Sequence, residues 1–141
     1  MDDMLYMRLD LLEEAGEIDS STKESVANFV KAIENKYFIK VTEENGSMLV
    51  THLAMALSRI KKGKKIESIN EELFEEVRKT KTYNKLPEHY KKIEDELNII
   101  IPKEEKDYIA LHVCTLIDKE KNGRWENEKI IGFLFVDYRP K

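Results

Sequence analysis

The sequence is poor in residues that cross-link a chain or interrupt a helix. Of its 141 residues, five are glycine, three are proline and one, Cys114, is cysteine. A single cysteine excludes an intramolecular disulfide and a multi-thiolate metal site, and it is consistent with a reducing compartment. So little glycine and proline also excludes collagenous and low-complexity chains. With 41% hydrophobic and 37% charged residues, the composition favours one helix-rich domain.

The sequence also lacks long apolar runs and an excess of basic residues. No stretch approaches the roughly 20 apolar residues that span a bilayer, and the first residues carry acids where a signal peptide carries bases. Lys and Arg total 24 against 28 Asp and Glu, for a net charge of −4, which provides no general attraction to a phosphate backbone. We therefore expect a cytoplasmic protein that binds neither a membrane nor nucleic acid directly.

Apolar residues at helical spacing predict five or six helices, each beginning at a capping residue or a proline. The predicted helices are residues 4–15 before Gly16, a helix after the capping residues 19–22, a helix from Thr42 to Gly63, a weaker one over 67–80, and helices opened by Pro87 and Pro102. The pattern therefore predicts an all-α fold.

The last residues break this helical pattern. β-Branched and aromatic residues around Gly132 predict a short strand over residues 129–139 without an obvious partner. We therefore expect three regions, namely an N-terminal helical extension (1–19), a helical domain (20–118) and a C-terminal extension (119–141).

The sequence repeats its own pattern at an offset of 60 residues. Glu34 then falls on Glu94 and His52 on His112, and the apolar positions around them coincide. This repeat predicts two similar helix–loop–helix units that pack as a pseudosymmetric bundle. Each unit alone would leave its apolar face in water, so both are needed to close the core.

The repeated histidines are the strongest candidates for chemistry. A histidine can accept a phosphoryl group near neutral pH, which would add about −1.5 to −2 charges to an apolar helix face. Arg59 follows His52 by seven positions on the same face, roughly 10 Å along the helix, so it can reach a neighbouring helix or subunit. The alternative interpretation is that His52 and His112 only fill or cap the core.

The remaining candidates point to no catalytic, metal or cofactor site. His89, in the first turn of its predicted helix, is expected at the surface or in a capping role. His112 and Cys114 diverge on a helix, while zinc needs three or four convergent ligands. A nucleophile elbow and a glycine-rich phosphate loop are both missing. A small hydrolase or metalloenzyme built on His112, Cys114 and nearby carboxylates is therefore the weakest alternative.

Two segments, residues 44–59 and 101–112, resemble the PTS regulation domain, or PRD, of bacterial antiterminators and activators. The resemblance covers about residues 20–118 and is carried by H-x-x-x-A-x-x-R from His52 and Y-I-x-x-H ending at His112. It implies a dimeric all-α bundle of about five helices. It also implies phosphorylation of His52 and His112 by the phosphocarrier HPr or by sugar-specific subunits of the phosphotransferase system, with Arg59 as a phosphate or interface partner.

The resemblance implies a stand-alone PRD protein rather than an enzyme. We expect a cytoplasmic homodimer that responds to phosphorylation and acts on transcription of carbohydrate genes through a partner regulator. The alternative is an interaction module with the same fold that is not phosphorylated and binds through its histidine-bearing face or its C-terminal strand.

Overall fold

A computed structural model describes residues 1–122 of the chain, which form seven α-helices. They are α1 (Asp3–Glu14), α2 (Ser20–Tyr37), α3 (Glu43–Lys61), α4 (Glu71–Arg78), α5 (Lys81–Lys85), α6 (Pro87–Leu97) and α7 (Lys103–Asn122). The prediction of an all-α fold is confirmed. None of these seven helices combines the length and apolarity needed to cross a membrane. The strand predicted over 129–139 lies outside the described residues.

The helices begin where the capping residues of the sequence predict. Asp19 accepts a hydrogen bond from the backbone N–H of Thr22 at 2.8 Å and starts α2. Thr42 and Asn45 form a reciprocal capping box at the start of α3. Pro87 occupies the first position of α6, where its missing N–H has no intrahelical partner to lose.

The helix count exceeds the prediction because a short helix, α5, lies between the weak pattern over 67–80 and the helix that begins at Pro87. Asn70 accepts from the backbone N–H of Glu72 at 2.9 Å and begins α4 later than predicted. Thr80 accepts from the N–H of Tyr83 at 3.1 Å and begins α5. Local side-chain caps therefore begin α4 inside the predicted segment and start α5 directly after it.

The predicted 60-residue repeat is also a structural repeat. The Glu34 carboxylate accepts the backbone N–H of Val41 at 2.9 Å, and Glu94 accepts that of Ile101 at 2.8 Å. Both connections leave their helices through a left-handed residue at the same repeat position, since φ is 56° at Phe38 and 53° at Asn98. The units α2–α3 and α6–α7 are thus built alike.

Helices α3 and α7 pack together in opposite directions. At one end, Arg59 near the end of α3 contacts Glu105 in the first turn of α7. At the other end, the amide of Asn45 donates to the Glu120 carboxylate at 3.1 Å. Contacts at both ends place the middle of α3 directly against the middle of α7.

Helix α1 forms part of the hydrophobic core. Leu5 and Leu9 are fully buried, and α1 packs against α2 and α3. Gly46 lets the start of α3 approach its surroundings closely, because a Cβ there would collide with Cγ1 of the buried Val41. The N-terminal segment therefore supports the helix that carries His52.

Candidate functional site

The structure brings the two repeated histidines into direct contact. Nδ1 of His52 lies 2.8 Å from Nε2 of His112, which is hydrogen-bonding distance. The ring centroids are 4.6 Å apart and the ring planes cross at 73°. His52 lies near the middle of α3 and His112 near the middle of α7, so the contact lies at the centre of the α3–α7 crossing.

The two imidazoles differ in exposure. His52 is half-buried, whereas His112 is only 5% exposed. Burial, reinforced by the neighbouring His52, lowers the pKa of His112 to about 3. His112 is therefore neutral at physiological pH, with one ring nitrogen that donates and one that accepts. The sequence predicted two matched sites, but the structure makes His52 the more accessible one.

Arg59 binds a buried carboxylate beside this pair. Its Nε and Nη2 atoms donate to the Glu105 carboxylate at 3.2 and 3.0 Å, a two-pronged ion pair. Glu105 is 1% exposed, and burial raises the pKa of its carboxyl group while Arg59 opposes that rise. Arg59 thus links α3 to α7, two helical turns from His52.

Sequence reasoning did not single out Glu105, although a signal was present. Arg59 follows His52 by seven residues, and Glu105 precedes His112 by seven. In two antiparallel helices that cross at the histidines, a residue seven positions after His52 and a residue seven positions before His112 lie at the same end of the crossing. The repeat offset together with opposite helix directions would therefore have predicted the ion pair.

Helix α1 contributes a second arginine near the histidine pair. Arg8 forms an ion pair with the Glu43 carboxylate, and its Nη1 atom lies 3.5 Å from the hydroxyl of Thr51. Thr51 directly precedes His52 in α3. The arginine therefore ties α1 to the stretch of α3 that carries His52, a link that the sequence did not predict.

The prediction that His89 lies at the surface or caps a helix is wrong. Its side chain is 4% exposed, and its ring meets the edge of Phe29 with centroids 5.9 Å apart. The first turn of α6 faces α2, so packing between the helices buries this residue. Burial lowers the pKa of His89, and neither ring nitrogen has a hydrogen-bond partner within residues 1–122.

Cys114 is held in a form that does not ligate metals. It is 1% exposed and lies 3.3 Å from the Thr80 hydroxyl, which donates to its sulfur. Burial raises the pKa of its thiol to about 12, while a metal binds the thiolate. In the described part of the chain, no three His, Cys, Asp or Glu side chains converge as a metal site would require.

Comparison with known proteins decides which family this arrangement represents. A family model described as "PRD domain" matches residues 27–115, which include both histidines, Arg59 and Glu105. The chain belongs to the PRD domain family. A PRD domain is a regulatory domain of the phosphotransferase system. Helix α1, with Arg8, precedes the residues that the family model matches.

One curated relative resembles the PRD domain described above. The chain is 39% identical over 70 residues to the uncharacterized protein YhfY of Escherichia coli (strain K12). The aligned stretch covers 50% of this chain and 58% of YhfY, so it spans less than two thirds of that relative. No solved structure matches the chain.

Proposed function

We propose that this PRD domain regulates carbohydrate use by accepting phosphoryl groups from the bacterial sugar phosphotransferase system on His52 and His112. The observation that carries the proposal is the 2.8 Å contact between the two imidazoles at the centre of the α3–α7 crossing. A modification of either ring acts directly on the packing of the two helices that hold the repeat units together. Membership in the PRD family supports a donor from the phosphotransferase system.

The proposed switch is an electrostatic one. A phosphoryl group adds about −1.5 to −2 charges at a crossing where His112 is 5% exposed. A charge of that size in a poorly solvated place favours an arrangement in which it meets water or a cation. Arg59 is a candidate cation, and its use would take it from Glu105. Phosphorylation thereby shifts the population between two packings of α3 and α7.

The proposed partners follow from the family. The donor is the phosphocarrier HPr or a sugar-specific subunit, and the output is transcriptional regulation through a partner protein in the cytoplasm. We also propose a homodimer. An apolar stripe on α1, formed by Met4, Met7 and Leu11, supports this part of the proposal, because each of these side chains is more than half exposed.

Reconstituted phosphorylation tests the proposed function. The purified protein is incubated with phosphoenolpyruvate, enzyme I, HPr and the sugar-specific subunits of its own organism. It is then examined by intact mass and by peptide mapping at neutral or alkaline pH. We expect phosphate on His52 or on His112, with both sites occupied only in different molecules of the sample, and none on His89. The His52→Ala, His112→Ala double variant is the control. An unlabelled wild-type protein would contradict the proposal.

The second candidate is an interaction module of the same fold that is not phosphorylated. The burial of His112 favours it, because a sealed ring is a poor phosphoacceptor. It predicts that partner capture and oligomeric mass are the same with and without phosphoenolpyruvate and are lost when Met7→Asp and Leu11→Asp disrupt the α1 stripe. Capture that depends on phosphoenolpyruvate would exclude this candidate.

A further inference from the structure

We infer that His52 and His112 share a single hydrogen, so that in this packing only one of the two rings at a time presents a nucleophilic nitrogen. The inference starts from the 2.8 Å distance between Nδ1 of His52 and Nε2 of His112. It extends the proposed function, and its consequence for phosphorylation rests on that proposal. Its first consequence, a matched pair of tautomers, holds whether or not phosphate is ever transferred.

When both rings are neutral, the distance allows only two arrangements of hydrogens. A neutral imidazole has one N–H and one nitrogen lone pair, and the contact needs an N–H on one side and a lone pair on the other. In the first arrangement, Nδ1–H of His52 donates, which leaves the lone pair of His52 on Nε2 and a hydrogen on Nδ1 of His112. In the second, Nε2–H of His112 donates, which leaves the lone pair of His112 on Nδ1 and a hydrogen on Nε2 of His52.

As long as both rings are neutral, they therefore carry the same tautomer. The first arrangement has Nδ1–H on both rings and the second has Nε2–H on both. Mixed tautomers would place two hydrogens or two lone pairs between nitrogens 2.8 Å apart. His112 does not gain a second proton near neutral pH, because burial lowers its pKa to about 3.

The nitrogens that point away from the contact decide the reactivity of the pair. Only a nitrogen with a lone pair can attack phosphorus. The first arrangement provides such a nitrogen on His52 and the second provides it on His112, but neither provides both. Since His52 is half-buried and His112 is 5% exposed, the first arrangement is the one that presents its lone pair to a donor.

Phosphoramidate, a small donor that transfers a phosphoryl group to histidine without a protein, illustrates the step. The lone pair on Nε2 of His52 attacks phosphorus and a new N–P bond forms. The P–N bond of the donor, which is protonated on its nitrogen, breaks, and neutral ammonia leaves with the electron pair of that bond. The hydrogen on Nδ1 of His52 stays in the contact, because the attached phosphoryl group is anionic and favours the cationic ring. His112 therefore keeps its hydrogen on Nδ1 and has no outward lone pair.

The tautomers are measured on the unmodified protein. Long-range ¹H–¹⁵N correlation spectra of a sample labelled with ¹⁵N-histidine distinguish Nδ1–H from Nε2–H for each ring. His52→Gln and His112→Gln variants assign the signals. We expect the same tautomer, or the same mixture of tautomers, on residues 52 and 112. Opposite tautomers on the two rings would overturn the inference.

Treatment with phosphoramidate tests the consequence for phosphorylation, with intact mass and peptide mapping as the readout. We expect at most one phosphoryl group on the pair in each wild-type protomer. In His112→Gln, where the side-chain amide can either donate or accept, His52 should still take one. Two phosphoryl groups on residues 52 and 112 of one wild-type protomer would overturn the inference. Matched tautomers without any phosphorylation would support the shared hydrogen and count against the proposed function.

Discussion

Replacing Arg59 with methionine tests whether the ion pair with Glu105 holds α3 against α7. The change removes the guanidinium but keeps most of the aliphatic stem. The Glu105 side chain is 2% exposed and that of Arg59 is 13% exposed, so the pair is largely out of water. Loss of one partner from a buried ion pair costs about 3–5 kcal/mol of unfolding free energy, because the other charge is left uncompensated.

The cost should depend on pH in a defined direction. Burial already raises the pKa of Glu105, and Arg59 opposes that rise. Without Arg59 the pKa rises further above the unfolded value of about 4.3. The folded variant then binds a proton that the unfolded chain releases, so its stability falls as the pH increases through the folded pKa. The difference between Arg59→Met and the wild-type protein should therefore be larger at pH 7 than at pH 5.

Urea unfolding at the two pH values measures this difference as a shift in midpoint at constant slope. The matched control is Lys91→Ala, since the Lys91–Asp95 pair is 71% and 64% exposed and its loss should cost at most about 1 kcal/mol. Arg59→Met combined with Glu105→Leu should recover most of the stability. A cost below about 1 kcal/mol for Arg59→Met, or an equal cost at both pH values, would refute the reasoning.

Four further substitutions test other features of the fold. Gly46→Ala should lower Tm, because the collision of the new Cβ with the buried Val41 costs about 1–3 kcal/mol. This cost outweighs the roughly 1 kcal/mol that alanine gains over glycine in a helix. An increase in Tm would contradict the close packing at Gly46. Phe38→Asn should raise the unfolding free energy by about 1 kcal/mol, because Phe38 is left-handed and 89% exposed. The reverse change at the equivalent position, Asn98→Phe, should lower it by a similar amount. The pKa of His112 is about 3 in the folded protein and about 6.5 in the unfolded chain. Between pH 6.5 and pH 5, the unfolding free energy of the wild-type protein should therefore fall by about 2 kcal/mol more than that of His112→Gln. Parallel pH profiles for the two proteins would contradict the burial of this ring.

The fold was predictable wherever a helix combined a capping residue with a long apolar pattern. Asp19, Thr42 and Pro87 begin their helices as the sequence indicates. Helix α5 was missed because five residues are too few to show a period. His89 was misplaced because the dipole of its own helix does not decide its burial, whereas the packing of α6 against α2 does.

The candidate site was predictable only in part. The 60-residue offset suggested that His52 and His112 are equivalent, but it says nothing about the distance between them. That distance depends on the direction in which α3 and α7 cross, which is a tertiary property. Glu105 was missed for the same reason, since its contact with Arg59 follows from the antiparallel crossing and not from either segment alone.

The contacts at the two ends of the α3–α7 crossing differ in strength. One is the buried Arg59–Glu105 pair, and the other is the solvent-exposed hydrogen bond between Asn45 and Glu120. We therefore expect a perturbation that separates the two imidazoles to break the Asn45–Glu120 hydrogen bond before the Arg59–Glu105 ion pair.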